Sequence, residues 1–209
     1  MKNKYILKNY TDLSNPLLGT KIISCSDQFF GPAKRMLNQN EPIFKENLFD
    51  HHGKWMDGWE TRRKRTKGND YAIIKLGKPG KIKLIDVNTS FFNGNQPQHI
   101  QIEGCYSENK NTKNFKWIKI TKKNKVKPNS QNFFKSLTSK TLTHVKLNIY
   151  PDGGVARLRL FGDIDLSLNK YVKNKIINLS ELSNGAQIIA CSDEHFGNVN
   201  NILLPGKSI

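Results

Sequence analysis

The sequence predicts an all-β fold, an antiparallel β-sandwich or barrel. Three observations carry that reading. Runs of five to nine residues alternate apolar and polar side chains with the period of two that a strand imposes. Clusters of Gly, Pro and Asn separate those runs. No window carries the apolar stripe of an amphipathic helix, so helical content should be small.

In chain order, residues 20–25 read as a short buried strand, followed by a turn anchored by Phe29 and Phe30. Residues 33–50 are irregular. Residues 71–76 and 81–89 read as a hairpin-like pair, because Gly77-Lys78-Pro79-Gly80 between them is a strong turn signal. Ser90 to Pro97 forms a loop, and 98–106 alternates with Ile100 and Ile102 together. Residues 115–120 alternate again, while 122–139 are polar and read as a long surface connection. In 141–150, Thr143, Val145, Leu147 and Ile149 take one side, and His144, Lys146 and Asn148 the other. After Pro151-Asp152-Gly153-Gly154, residues 155–161 project Arg157 and Arg159 from one sheet face.

The charge of +17 across 209 residues raises the question of nucleic acid. The lysines, however, are spread along the whole length and alternate with asparagine. No nucleic-acid motif accompanies them, so no nucleic-acid partner is expected. Cys25, Cys105 and Cys191 are too few and too scattered for a disulfide framework. With no secretory leader and no run of eighteen apolar residues, the expectation is a cytoplasmic protein without a membrane partner.

Residues 178–209 repeat residues 12–43 at an offset of 166, with twelve of thirty-two ungapped positions identical. Leu179 matches Leu13, Gly185 matches Gly19, and Cys191-Ser192-Asp193 matches Cys25-Ser26-Asp27. This signals duplicated architecture. The expected organisation is a first repeat over 1–162, a linker over 163–176, and the start of a truncated second repeat over 177–209.

The stretch from His51 to Arg65 is the most unusual in the chain, with two tryptophans, two carboxylates, two adjacent histidines and two glycines. It reads either as a loop held by its aromatics for binding or catalysis, or as core tryptophans beside a solvated basic face. A resemblance bears on that choice. Gly53-Lys54-Trp55-Met56-Asp57-Gly58-Trp59-Glu60-Thr61-Arg62-Arg63, then Val87-Asn88-Thr89-Ser90-Phe91-Phe92-Asn93-Gly94-Asn95, and the run from His144 to Arg159 strongly resemble allantoicase. The resemblance implies a jelly-roll, galactose-binding-like β-sandwich present in two copies. It also implies hydrolysis of allantoate to ureidoglycolate and urea.

That chemistry needs a grip on a carboxylate, a proton for the departing nitrogen, and a water. Arginine suits the first need through paired hydrogen bonds, so Arg157, Arg62, Arg63 and Arg159 are the candidates, with Arg157 foremost because it lies inside a long match. Glu60 and then Asp57 are the acid–base candidates, although Asp57 before Gly58 and Asp152 before Gly153 also read as turn residues. Asn93 and Asn95 offer amides to ureido groups, and Trp55 offers a flat contact surface. His51 and His52 allow a divalent metal, but their spacing does not indicate one, so the cofactor is open. His144 reads as structural, and Cys25 and Cys191 as packing residues. A non-catalytic ligand-binding module is the alternative function. An apolar segment left unpaired by the truncated copy favours a homo-oligomer.

Overall fold

The computed structural model describes residues 10–109, 111–165, 178–186, 188–193, 195 and 199–204. Its described part is built of β1 (Thr11–Asp12), β2 (Lys21–Cys25), β3 (Phe49–Asp50), β4 (Gly53–Lys54), β5 (Trp59–Glu60), β6 (Asp70–Asn88) and β7 (His99–Cys105). The remainder are β8 (Ile118–Lys119), β9 (Asn124–Lys125), β10 (Gln131–Lys135), β11 (Leu142–Tyr150), β12 (Gly154–Val155) and β13 (Arg157–Ile164). All observed pairings are antiparallel, and helical structure among the described residues is confined to short 3₁₀ turns. The fold is the expected jelly-roll β-sandwich.

Its spine is β6, 19 residues long. The first half pairs with β2, through Ile22↔Ile74 and Cys25↔Ala72, and with β11, through Val145↔Ile74 and Leu147↔Ala72. The second half pairs with β13, through Leu158↔Val87 and Leu160↔Ile85, and with β10, through Asn132↔Val87 and Phe134↔Ile85. Side chains from both halves, including Ile74, Ile85, Val87, Val145, Leu147, Leu158 and Leu160, meet in one apolar cluster.

The expected hairpin at 77–80 is therefore absent, because the strand runs straight through its own turn signal. The glycines answer a different need. A Cβ on Gly77 would lie 1.9 Å from the Leu18 carbonyl oxygen, and one on Gly80 would lie 2.7 Å from Leu13 Cδ1. They permit a close crossing of chains, and no reversal is involved. The Gly77 N–H donates to Thr20 Oγ1 at 2.8 Å, and the carbonyl of Pro79 accepts from Asp165 N at 2.8 Å.

Other expectations also shift. Residues 122–139 contain β9 and β10, since an edge strand needs only one or two apolar anchors, here Phe133 and Phe134. In β11 the side expected to be polar is covered: His144 lies under the Phe115 ring at 4.5 Å, and Asn148 bonds Glu103 Oε2 at 3.0 Å. By contrast β2, expected to be buried, is mostly half-exposed. The last strand of this unit runs to Ile164, and residues 166–176 of the expected linker lie outside the described residues.

Candidate functional site

Glu60 is fixed before its side chain is considered. Its neighbour Trp59 is fully buried, and the indole N–H donates to the Asp27 carbonyl at 2.8 Å. The Glu60 backbone exchanges hydrogen bonds with Gly31, each 3.1 Å, and faces Gly154 of β12 in register. Gly154 must lack a side chain, because a Cβ there would sit 1.9 Å from the Phe92 ring. The same Gly154 donates its N–H to the Asn95 carbonyl at 2.7 Å, drawing the 93–97 loop against β5.

The result is a cleft of about 530 Å³ in which Glu60, Arg63, Asn95, Gln96 and Asp152 converge, with Phe30 on its wall. Glu60 Oε1 accepts from Asn95 Nδ2 at 2.8 Å. Burial pushes the Glu60 carboxyl above the usual carboxylate range, and the Asn95 bond offsets only part of that. Arg63 is exposed at the cleft and has no hydrogen bond or ion pair among the described residues. The amine of Lys64 is held by Asp70 at 2.9 Å, while its backbone N–H donates to Asp152 Oδ2 at 2.7 Å. A half-sheltered acid, an amide and an unengaged guanidinium thus share one small space.

Of the residues expected to form a site, the structure brings together Glu60, Arg63 and Asn95. It sends the others elsewhere. Arg157, expected to hold substrate, is 2% exposed, and Asp57, expected to share the acid–base work, faces it with Oδ2 2.6 Å from Nη2. Arg157 also donates Nε to the Asn40 carbonyl at 2.8 Å and Nη1 to the carbonyls of Asp57 at 2.9 Å and Ala156 at 2.8 Å. Asp57 Oδ2 accepts from Ile43 N at 3.0 Å as well. With its donors engaged by the protein, this guanidinium has none facing the cleft.

Arg62 pairs with Asp27. Burial acts to raise the Asp27 carboxyl, but the Arg62 backbone N–H at 2.6 Å and its guanidinium at 3.1 Å outweigh that and hold it below the usual range. Trp55 is half-buried beneath the Arg35 guanidinium, 5.2 Å from its ring, and Asn93 is exposed outside the cleft lining. His51 and His52 are exposed at the tip joining β3 and β4, where the His52 ring packs at a tilt against Phe29, 4.2 Å between centroids. Among the described residues no three His, Cys, Asp or Glu side chains are grouped to hold a metal. Sequence reasoning left Asp152 open between a turn residue and an acid–base group, and passed over Lys64 and Gln96. The Pro-Asp-Gly-Gly run inside the third matching motif was the available signal for Asp152.

The family model of the allantoicase repeat matches residues 11–165. The chain is 45% identical over 203 residues to the "Probable allantoicase" of Acinetobacter baylyi, covering 97% of this chain and 60% of that protein. It is 41% identical to the Pseudomonas aeruginosa counterpart, covering 97% and 61%. Among solved structures, an allantoicase superposes with a TM-score of 0.83 at 33% identity over 100% of this chain and 65% of that one. The Saccharomyces cerevisiae allantoicase gives 0.80 at 34% identity over 96% and 61%. The C-terminal domain of a Bacteroides fragilis chitobiase, at 16% identity and a TM-score of 0.54 over 74% of this chain and 99% of that one, shares the fold alone. The chain spans about 60% of the length of the curated relatives it matches. On the match across 11–165 and the identity to these relatives, the chain belongs to the allantoicase family.

Proposed function

We propose that this chain carries an allantoate-hydrolysing site in the cleft around Glu60. One observation supports the reading above all. Glu60, raised by burial and tied to Asn95, lies in the same cleft as the unengaged Arg63. Allantoate is a small carboxylate whose central carbon bears two ureido groups. Arg63 takes the carboxylate through its planar guanidinium. Asn95 keeps its own carbonyl for a ureido N–H while its amide orients Glu60. Glu60, protonated more readily than an ordinary carboxyl, donates to the departing nitrogen. Asp57 and Arg157 serve as an internal clamp, and Arg62 with Asp27 fixes the strand end beside them.

The same reading takes residues 178–204 as the opening of a second repeat. In support, Gly19 and Gly185 each close a 3₁₀ turn, with φ and ψ of 93° and 9° in one and 93° and 8° in the other. Leu18, Leu182 and Leu203 share a small apolar cluster, while Leu179, Ile189 and Ile202 stay exposed. Those exposed side chains favour either the remainder of a second repeat or a further subunit as cover. A cytoplasmic setting belongs to this proposal, and the free thiols of Cys25 and Cys105 are consistent with it. Among the described residues no helix is long and apolar enough to cross a membrane.

The test is urea release from allantoate by the purified chain, with and without a chelator. Glu60→Gln is expected to lower kcat by about 10²-fold or more, the usual worth of a general acid, without moving Tm. An unchanged rate removes Glu60 from the assignment. Allantoate binding without urea formation selects the non-catalytic module.

A further inference from the structure

We propose that Asp152 is a second catalytic carboxylate of the cleft, taking a proton from the attacking water while Glu60 protonates the departing nitrogen. The proposal rests on the hydrolase reading above and adds a residue and a role to it. Asp152 lines the same cleft as Glu60. One of its oxygens, Oδ2, is anchored by the Lys64 backbone N–H at 2.7 Å, and the other has no hydrogen bond among the described residues. An anchored carboxylate with one oxygen left open is aimed, not floating.

The frame behind it is shared with Glu60. Gly153 donates its N–H to Thr61 Oγ1 at 3.1 Å, and Thr61 N–H returns a bond to the Gly153 carbonyl at 3.3 Å. Each carboxylate therefore sits one residue from a doubly bonded contact between the two segments. Their partners differ. Glu60 is bonded to a neutral side-chain amide, whereas Asp152 is held by a backbone N–H in a cleft that Arg63 also lines. Two carboxyl groups with unlike partners in one cleft are how acid and base roles separate.

The step balances. The water oxygen bonds to the central carbon of allantoate, and the carbon–nitrogen bond breaks with its electron pair going to nitrogen. That nitrogen takes the Glu60 proton and leaves as urea. The water proton passes to Asp152, which releases it to solvent, and solvent returns a proton to Glu60 for the next turnover.

Asp152→Asn keeps an oxygen for the Lys64 N–H and removes the base. In kcat/KM against pH, the low-pH limb reports a group that must be ionised, and the high-pH limb one that must be protonated. Asp152→Asn is expected to lower kcat by about 10²-fold or more, to abolish the low-pH limb and to retain the high-pH one. Glu60→Gln is expected to do the reverse. Asp152→Glu, which restores the charge, is expected to recover the low-pH limb at a reduced rate. Circular dichroism checks that each variant is folded. If Asp152→Asn keeps the low-pH limb and most of its rate while the wild type releases urea, this proposal falls and the hydrolase reading stands. The proposal falls equally if a folded Asp152→Glu lacks that limb. Wild-type protein that releases no urea overturns both.

Discussion

Arg63 and Arg157 both lie in stretches that mark the allantoicase family, and the fold puts them in opposite circumstances. Arg157 is buried with Asp57 and a ring of backbone carbonyls, whereas Arg63 stands exposed in the cleft with nothing engaged among the described residues. A motif shows that a guanidinium is needed at a position. Burial and partners show what it is needed for. A buried ion pair adds little over well-packed apolar residues, yet losing one partner leaves the other charge stranded.

The largest effect follows from that asymmetry. Arg157→Ala strands the Asp57 carboxylate and several carbonyls, and should cost about 3–5 kcal/mol, roughly 10 °C in Tm for a chain of this size. Thermal or urea denaturation measures it, and an unaltered Tm would erase the contrast. Arg63→Ala should behave in the opposite way, leaving Tm within about 1 °C as an exposed substitution does, while raising the KM for allantoate by about 10-fold or more. A rise in KM with kcat preserved is the signature of lost substrate grip.

A smaller effect comes from two buried groups away from the cleft. Burial, offset in part by Asn132, Arg159 and Gln131, pushes Asp86 up to about 7, and one of its oxygens has no hydrogen-bond partner. Burial and the charge of Lys75 push His144 down to about 4. Between about pH 4 and 7 folded Asp86 keeps a proton that the unfolded chain has released, so its contribution to stability declines as pH rises. His144 does the converse: below about pH 6.5 the unfolded chain binds a proton that the folded one refuses, so stability declines as pH falls toward 4. The two slopes oppose each other. Asp86→Asn removes one of them, so Tm should climb steadily from pH 4 to 6.5, and at pH 8 the variant should exceed the wild type by up to about 4 kcal/mol. A Tm–pH curve that matches the wild type would show that Asp86 is ionised in the fold without penalty.

These contrasts also mark how far the sequence could be read. Fold class was legible because Ile100 with Ile102, and Val145 with Leu147, alternate strongly enough to override any other period. The continuity of β6 was not, since Gly77 and Gly80 are written for a chain crossing that involves Leu18 and Leu13, about sixty residues upstream. Nor was β10 legible, whose burial is decided by β6 and not by its own Gln131, Asn132 and Lys135. At the site, Glu60, Arg63 and Asn95 could be picked out as residue types suited to a ureido acid. Which arginine meets solvent depends on where β13 enters the core, and local spacing carries no record of that. Asp152 was left open because an aspartate before glycine is an ordinary turn residue.

Because β6 belongs to both halves of the sandwich, neither half can loosen alone. Opening the β2–β6–β11 side exposes the amides at Ala72 and Ile74, and opening the β10–β6–β13 side exposes those at Ile85 and Val87, along one uninterrupted backbone. The protein is built to come apart as a single cooperative unit, with the amides at both ends of β6 exchanging with solvent on one slow timescale.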